Sequence, residues 1–402
     1  MYYFDGGYFF FSIKTMNNNC LLYLLITSIF ISCCLSNEQK NDRLPFIDIR
    51  KNYPEKEIVL TDIADISYVH LNTINDEYIY KGTISNVTKN SIVVYDEYSR
   101  SILFFSKDGN PKSRFNRFGQ GAEEYLNAER IFYDEEKDEV FVGDIIKSVL
   151  VYSSKGDFKR KINLPLNTST FSMVSFDDQS FYVYTKKTKT DMKEHKYITF
   201  YQISKEDGAI LDSLKLLINE VEVLFKSDQG ITLEPSFIRM MKCVDGVFLH
   251  NPENDTIFLY AQNKSLTPVL YQIPRMQDTE PKVYMQNCCE IGGYKFFEAT
   301  TLSFDLNSNP PKKPAVKHYV LDKTNQIFRQ KIVLPDFKDK EFFIQAGAIY
   351  RNNVSNGSFF ELDLIELKQA YREDKLSGKL KELVATLNED EDNNVFILVE
   401  FK

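Results

Sequence analysis

Residues 91–165 contain two copies of one pattern of apolar segments. In the first copy, SIVVYD is followed after a short gap by SILFFSKDGNPKSRF, and in the second, EVFVGD is followed by SVLVYSSKGDFKRKI. Short runs rich in Val, Ile, Phe and Tyr that alternate with polar residues are typical of β-strands. The pattern therefore predicts a repeated antiparallel β unit.

The same unit recurs along the rest of the chain. Turn sequences such as KDGN, KGD and EDG stand between its last two strands, where a tight hairpin needs residues that accept positive φ. The interval is roughly 40 to 50 residues, with one longer gap, which suits a four-stranded blade. We therefore predict an all-β fold, a six-bladed β-propeller over residues 44–402. The strand pairs start at Ile92, Val140, Phe181, Val247 and Tyr294, and a last copy runs from about residue 342 to the C-terminus.

One segment departs from this pattern. Residues 359–387 carry apolar positions at helical spacing and predict a small helical insertion inside the last blade. A propeller ring must also close, because closure removes exposed sheet edges. The alternating segments 47–49, 58–60 and 66–71 are the candidates to complete the last blade beside residues 395–401.

The N-terminus reads as a targeting segment. An apolar run over residues 21–31 suits the core of a signal peptide and is too short to span a membrane comfortably. We predict a signal peptide over residues 1–33, with Met16 as an alternative start, and a polar tether over residues 34–43.

The apolar run ends in Phe30-Ile-Ser-Cys33, which resembles a bacterial lipobox. We predict lipidation of Cys33, with Cys34 as the runner-up acceptor. Ordinary signal cleavage near Ser32 or Ser36 is the alternative. Lipidation would anchor the protein in the cell envelope at the outer membrane, on a side that the sequence does not specify.

Composition supports a strand-rich core and limits the partners. The chain has 32 Phe, 24 Tyr and no Trp, and its net charge is −8 with scattered Lys and Arg. Nucleic acid is therefore not an expected partner. Three cysteines lie beyond the leader, and Cys243 could bridge to Cys288 or Cys289, or all three could be free thiols.

The Gly-rich stretch between the two opening copies is the candidate ligand site. It would connect the outer strand of one blade to the inner strand of the next, near the channel mouth, where converging polar groups mark a binding site. The alternative is that Gly119 and Gly121 form a tight structural hinge. The candidate ligand-binding residues are Arg117, Gln120, Glu123, Glu124, Tyr125 and Arg130.

No catalytic constellation is evident, and no metal-type spacing of Cys or His occurs. Asp96 and Asp144 occupy matching places in the two copies and are expected to cap turns. The alternative is a channel site for a divalent cation such as Ca²⁺, and no other cofactor is expected. Four isolated histidines are expected to be structural or on the surface: His70, His195, His250 and His318.

The chain resembles a known family, the six-bladed, NHL-like β-propeller lipoproteins of Bacteroidetes. The matching elements are RFGQGAEEY at 117–125, NDTIF at 254–258 and the ending EDNNVFILVEF at 391–401. Ala122 and Glu123 depart from the Pro and Gly of the family's hinge motif. The resemblance implies the propeller and the lipid anchor and says little about activity.

These observations favour a non-catalytic envelope module that binds a glycan, peptide or protein partner at one propeller face. One alternative is a metal-dependent hydrolase or lactonase with a divalent ion in the channel, where the metal would activate water. Another is a scaffold subunit of an envelope complex that uses residues 359–387 as its contact. The sequence does not decide whether the protein is an enzyme, and the lack of a catalytic motif favours a protein that is not one.

Overall fold

The computed structural model describes the greater part of the chain after residue 43. The described residues are 44–74, 77–144, 148–165, 168–185, 197–217, 225–226, 232–233, 240–251, 254–303, 315–345 and 357–402.

Twenty-eight strands make up most of the described chain. The strands before the first blade are β1 (Phe46–Asp48), β2 (Glu55–Val59) and β3 (Ala64–His70). The next twelve are β4 (Gly82–Val87), β5 (Ser91–Asp96), β6 (Ser101–Ser106), β7 (Pro111–Phe115), β8 (Ala128–Asp134), β9 (Glu139–Asp144), β10 (Ser148–Tyr152), β11 (Phe158–Asn163), β12 (Thr168–Ser175), β13 (Ser180–Thr185), β14 (Tyr197–Ser204) and β15 (Ile210–Leu217). The last thirteen are β16 (Phe225–Lys226), β17 (Thr232–Leu233), β18 (Met240–Cys243), β19 (Gly246–Asn251), β20 (Thr256–Ala261), β21 (Leu266–Ile273), β22 (Lys282–Ile291), β23 (Tyr294–Leu302), β24 (Ala315–Leu321), β25 (Ile327–Leu334), β26 (Phe337–Phe342), β27 (Gly357–Leu362) and β28 (Val395–Phe401).

Five sheets each contain four antiparallel strands that follow one another in sequence, and we number them as blades 1 to 5. Blade 1 is β4–β7, blade 2 is β8–β11, blade 3 is β12–β15, blade 4 is β18–β21 and blade 5 is β22–β25. The first strand of each blade lies beside the first strand of the next, so these strands form the inner ring. The predicted all-β propeller is confirmed, with five such blades within the described residues.

Burial follows the position of a strand within its blade. Every residue of β5, SIVVYD, is buried, because this strand is covered on both faces by neighbouring blades. The outer strand β7 alternates between half-buried and exposed positions and ends at the buried Phe115. Continuous apolar runs therefore mark middle strands, and alternating runs mark outer strands.

The glycines of the predicted hairpin turns have positive φ, as predicted, and they also pack against the preceding blade. Gly156, in the turn between β10 and β11, has φ +88°, and a Cβ on it would lie 2.5 Å from the Cβ of Phe115 in blade 1. A Cβ on Gly208, in the turn between β14 and β15, would likewise lie 2.9 Å from the Cγ2 of Ile162 in blade 2. Each of these turns therefore lies against the outer strand of the preceding blade, where only glycine fits.

A three-stranded sheet joins the two ends of the described chain, and we call it the closing sheet. It has the order β27-β28-β3, with β3 antiparallel to the C-terminal strand β28. The prediction that the segment around residues 66–71 pairs with residues 395–401 is thus confirmed. The other two candidates were wrong, because β1 adds in parallel to β21 of blade 4 and β2 adds in parallel to β25 of blade 5.

A short helix, α1 (Leu60–Ile63), lies between β2 and β3. Two further helices lie between β27 and β28, α2 (Leu364–Arg372) and α3 (Gly378–Thr386). The Asp363 side chain accepts a hydrogen bond from the backbone N–H of Glu366 and caps α2. The apolar faces of both helices join the core that includes β28. The insertion starts later than predicted, since residues 357–362 form a strand. No helix within the described residues is long and apolar enough to cross a bilayer.

Candidate functional site

The Gly-rich connection between β7 and β8, residues 116–127, is a closed loop held by its own backbone. Phe118 and Tyr125 form an isolated parallel bridge. The N–H of Gly119 donates to the carbonyl of Tyr125 at 3.1 Å, and the N–H of Tyr125 donates to the carbonyl of Arg117 at 3.0 Å. The loop therefore has a defined shape at the point where the chain passes from blade 1 to blade 2.

The Glu124 carboxylate fills the centre of this loop. Its Oε2 accepts a hydrogen bond from the N–H of Gly121 at 2.8 Å. A Cβ on Gly119 would lie 1.9 Å from the same oxygen. Gly119 is thus required by the close approach of a carboxylate to the backbone, which is the structural alternative weighed from the sequence.

Tyr125 lies in the core and does not reach the surface of the loop. Its side chain is fully buried, and its hydroxyl donates to the carbonyl of Arg100 at 2.6 Å. Tyr152 of blade 2 donates in turn to the carbonyl of Glu123 at 2.9 Å. Burial raises the pKa of both phenols well above their ordinary value. The two tyrosines therefore act as anchors between blades 1 and 2.

The two candidate arginines also reach neighbouring sheets. Arg117 is half-buried, and its Nε donates to the carbonyl of Gly156 in blade 2 at 2.8 Å. Arg130, on the inner strand β8, is buried, and its Nε donates to the carbonyl of Met173 in blade 3 at 3.2 Å. The structure does not bring Arg130 and Tyr125 together with the exposed side chains of the loop.

Gln120 and Glu123 are exposed on the loop, and three further side chains on this loop and on the turn tied to it were not among the candidates from the sequence. Phe118 is 51% exposed, and the Arg100 guanidinium lies over its ring at 5.8 Å. Tyr98, in the turn that carries Arg100, is 87% exposed. We call these five residues the hinge surface.

A side-chain hydrogen bond connects the two parts of the hinge surface. The amide of Asn116 donates to the carbonyl of Ser99 at 2.6 Å and ties the loop to the turn between β5 and β6. Arg100 also donates to the side chain of Asn127 at 3.3 Å. The sequence signal for this turn was present, since a Tyr and an Arg stand in a short gap between two apolar strands.

The two aspartates at matching positions cap turns, as expected. Asp96 accepts hydrogen bonds from the backbone N–H groups of Lys81 and Tyr98, at 3.0 and 3.1 Å. Burial alone would raise the pKa of Asp96, but hydrogen bonds from Ser99 and these N–H groups outweigh it and lower the pKa. Asp144 accepts from the backbone N–H of Leu126 and of Asn127.

A family model described as a domain of unknown function, DUF4934, matches residues 44–400, nearly all of the described chain. The chain belongs to the DUF4934 family. No curated relative matches it.

This DUF4934 chain is also similar to solved structures. A candidate exported protein from Bacteroides fragilis has 18% identity and a TM-score of 0.58, with 89% of this chain and 99% of that chain covered. This likeness shows the fold alone. Virginiamycin B lyase from Staphylococcus aureus (12% identity, TM-score 0.31, coverage 70% and 89%) and BamB from Moraxella catarrhalis (9%, 0.34, 82% and 87%) are more distant.

Three histidines of the DUF4934 chain are in the protein interior. His70 contacts Asn72 and Asp392, His250 stacks on Tyr284, and His318 stacks on Phe343. His195 lies outside the described residues. The described part of the chain holds no group of three or more His, Cys, Asp or Glu side chains arranged for a metal ion. The divalent-cation hypothesis stays a prediction.

Two of the three predicted core cysteines can be described in the DUF4934 chain. Cys243 and Cys289 are free thiols, and burial raises the pKa of Cys243 to about 11. A thiol with a raised pKa is a poor nucleophile at neutral pH. The side chain of Cys288 lies outside the described residues, and so do Cys33 and Cys34 of the predicted lipobox.

Proposed function

We propose that the protein is a non-catalytic binding module of the cell envelope, which takes a glycan, peptide or protein partner at the hinge surface. The observation that carries this proposal is the exposed Phe118 ring beside the guanidinium of Arg100, with the exposed Tyr98 on the same turn as Arg100. Aromatic and Arg side chains are enriched where proteins meet their partners. Gln120 and Glu123 add exposed hydrogen-bonding groups next to the rings.

The hydrogen bonds that hold the loop of residues 116–127 support the proposal. Glu124, Tyr125 and Arg117 make hydrogen bonds within the protein that hold the loop in one conformation. A loop that is ordered before binding loses less conformational entropy when a ligand arrives. The exposed rings are thus held on a rigid support, as a binding surface requires.

The test is a binding screen with purified residues 44–402 against arrays of bacterial and host glycans and of synthetic peptides. The ligands that bind are then titrated against Phe118→Ala and Tyr98→Ala variants. We expect each variant to weaken binding by roughly tenfold or more, as loss of an interface aromatic does. The control is Val244→Ala, which removes an exposed apolar side chain from the turn between β18 and β19.

Ligands that bind the hinge variants and the control variant equally would contradict the placement of the site. Turnover of any arrayed compound by the protein would contradict the non-catalytic assignment.

We propose further that the protein is exported and lipid-anchored through Cys33. The support is the lipobox-like segment in the sequence and the description of the Bacteroides fragilis relative as a candidate exported protein. Metabolic labelling with a palmitate analogue tests the anchor in cells that produce the full chain. Cys33→Ala should abolish labelling, Cys34→Ala should preserve it, and the opposite pattern would move the anchor to Cys34.

We also propose that the closing sheet is the sixth blade of an NHL-like ring. The support is the pairing of β3 with β28, which joins both ends of the chain as a ring closure does. An experimental structure tests this directly. Six blades around one axis are expected, whereas five blades with the closing sheet outside the ring would contradict it.

A further inference from the structure

The outer edges of the five blades are covered unequally. Blade 4 carries β1 as an added strand, and blade 5 carries β2. Blades 1, 2 and 3 end at β7, β11 and β15, with no further strand paired to them within the described residues. An uncovered outer strand offers unpaired backbone groups to another chain, and proteins usually protect such edges.

Blades 1 and 2 protect their edges with basic side chains on a bulge. The pairing of β6 with β7 skips Lys112, and the pairing of β10 with β11 skips Lys159. Arg114 and Lys161 follow at the next exposed positions. Bulges and Lys or Arg side chains are the usual devices that discourage edge-to-edge association.

The outer strand of blade 3 has the same bulge, but an apolar residue occupies it instead of a lysine. The pairing of β14 with β15 skips Leu211, which therefore occupies the place of the two lysines. Leu211 is 51% exposed, and Leu217 at the other end of the strand is 56% exposed. Tyr197, which pairs with Leu217 across the sheet, is also exposed. Within the described residues, the outer edge of blade 3 is therefore uncovered and carries exposed leucines at both ends, whereas the edges of blades 1 and 2 carry basic residues at the bulge.

We propose that β15 is a homodimer interface, where the β15 strands of two copies of the chain pair antiparallel about a twofold axis at Leu214. In this register Leu211 of each copy faces Leu217 of the other, and Ser213 faces Lys215. Directly opposed side chains lie on one face and stabilise the pair when they are apolar, whereas like charges opposed would destabilise it. The strand is therefore complementary to itself, and the two blades form one continuous sheet.

A second copy fits this edge for a geometric reason. An isologous interface needs one surface that is its own complement. Strand β15 supplies exposed leucines at both ends, and the exposed residues between them are Ser213 and Lys215. No opposed pair in this register brings two like charges face to face. The interface is separate from the hinge surface in blades 1 and 2, so it does not depend on the proposed function.

The test is sedimentation velocity of purified residues 44–402 over a range of concentrations. We expect the wild type to form a dimer. Leu211→Lys combined with Leu217→Lys should raise the dimer dissociation constant on the order of 100-fold or more, since apolar contacts are lost and charges are added. Folding is not expected to suffer, because lysine already stands at the place of Leu211 in blades 1 and 2 and the side chain of Leu217 is 56% exposed. The matched control is Leu266→Lys on β21, which should leave the dimer unchanged.

Cross-linking tests the register independently of stability. Separately tagged Ser213→Cys and Lys215→Cys proteins, mixed and mildly oxidised, should form a disulfide-linked heterodimer in preference to either homodimer. A wild type that is monomeric at all concentrations overturns the proposal. So does a dimer that survives the double lysine substitution, or a cysteine pair that fails to cross-link.

Discussion

Val395 lies directly opposite His70 in the antiparallel ladder that joins the C-terminal strand to an N-terminal one. The ladder continues to Phe401 opposite Ala64, so the two ends of the described chain share one sheet. Both strands contribute buried residues to the core, including Val69 and Ile397. Folding of this sheet therefore requires residues far apart in sequence to meet, which is an entropically costly step.

A disulfide across this ladder should stabilise the protein. Asp65 and Glu400 are directly opposed and exposed, and opposed residues of an antiparallel pair have Cα atoms about 4.5 to 5.5 Å apart, a separation that a disulfide can span. The Asp65→Cys, Glu400→Cys variant, once oxidised, should gain about 2 to 5 kcal/mol in the free energy of unfolding. Urea denaturation with and without reductant measures the gain. Glu400→Cys alone should show no dependence on reductant, and equal midpoints for the oxidised and reduced double variant would argue against this closure.

Gly156→Ala should destabilise the contact between blades 1 and 2. The substitution adds a Cβ 2.5 Å from that of Phe115 at a φ of +88°. We expect a loss of about 2 to 4 kcal/mol in the free energy of unfolding, from left-handed strain together with overpacking. Gly292→Ala is the matched control, because Gly292 has φ +55° and open space around its Cβ position. The control should lose only about 1 to 2 kcal/mol. Equal losses in urea denaturation would show that the Phe115 contact is unimportant.

Gly119 and Glu124 should show strong energetic coupling. Gly119→Ala in the wild type drives a methyl group into the Glu124 carboxylate and should cost about 1 to 3 kcal/mol. Glu124→Ala loses the hydrogen bond from Gly121 and should cost about 1 kcal/mol. In the Glu124→Ala background, Gly119→Ala should cost little, with a coupling energy of at least about 1 kcal/mol. Additive losses in a double-mutant cycle would mean that the carboxylate does not occupy the loop.

His318 should make the stability depend on pH. Burial lowers the pKa of His318 to about 4, although the Glu298 carboxylate lies 3.7 Å away. In the unfolded chain the His318 imidazole takes up a proton near pH 6.5, whereas in the folded chain it stays neutral until about pH 4. The free energy of unfolding therefore falls as the pH drops from about 6.5 to about 4. From a pH of about 7.5 to a pH of about 5, His318 lowers the free energy of unfolding by about 2 kcal/mol.

Urea denaturation at those two pH values, on wild type and His318→Gln, measures this effect. The variant should lose about 2 kcal/mol less than the wild type over the same interval, since glutamine does not titrate. The comparison cancels contributions from other ionisable groups that are common to both proteins. Identical pH dependence in the two proteins would show that His318 is already protonated, or solvated, in the folded state.

The sequence predicted the blade pattern because the signals for strands and turns are local. SIVVYD and EVFVGD carry their own strand preference, and Gly156 and Gly208 mark turns that need positive φ. Helical spacing in residues 359–387 likewise showed that helices interrupt the last sheet, although the first residues of that segment form β27. The two aspartates read as turn caps were recognised from their repeated position alone.

The sequence by itself determined the all-β propeller, the hinge and its glycines, because each depends on the periodicity or backbone freedom of a few adjacent residues. Only the tertiary structure decided which side chains of the hinge are exposed. Tyr125 and Glu123 are two residues apart, yet one is buried against blade 2 and the other faces solvent. The partners of β1 and β2, and the apolar edge at Leu211, were also decided there. These depend on which strands end beside one another in the folded chain, and no local pattern records that.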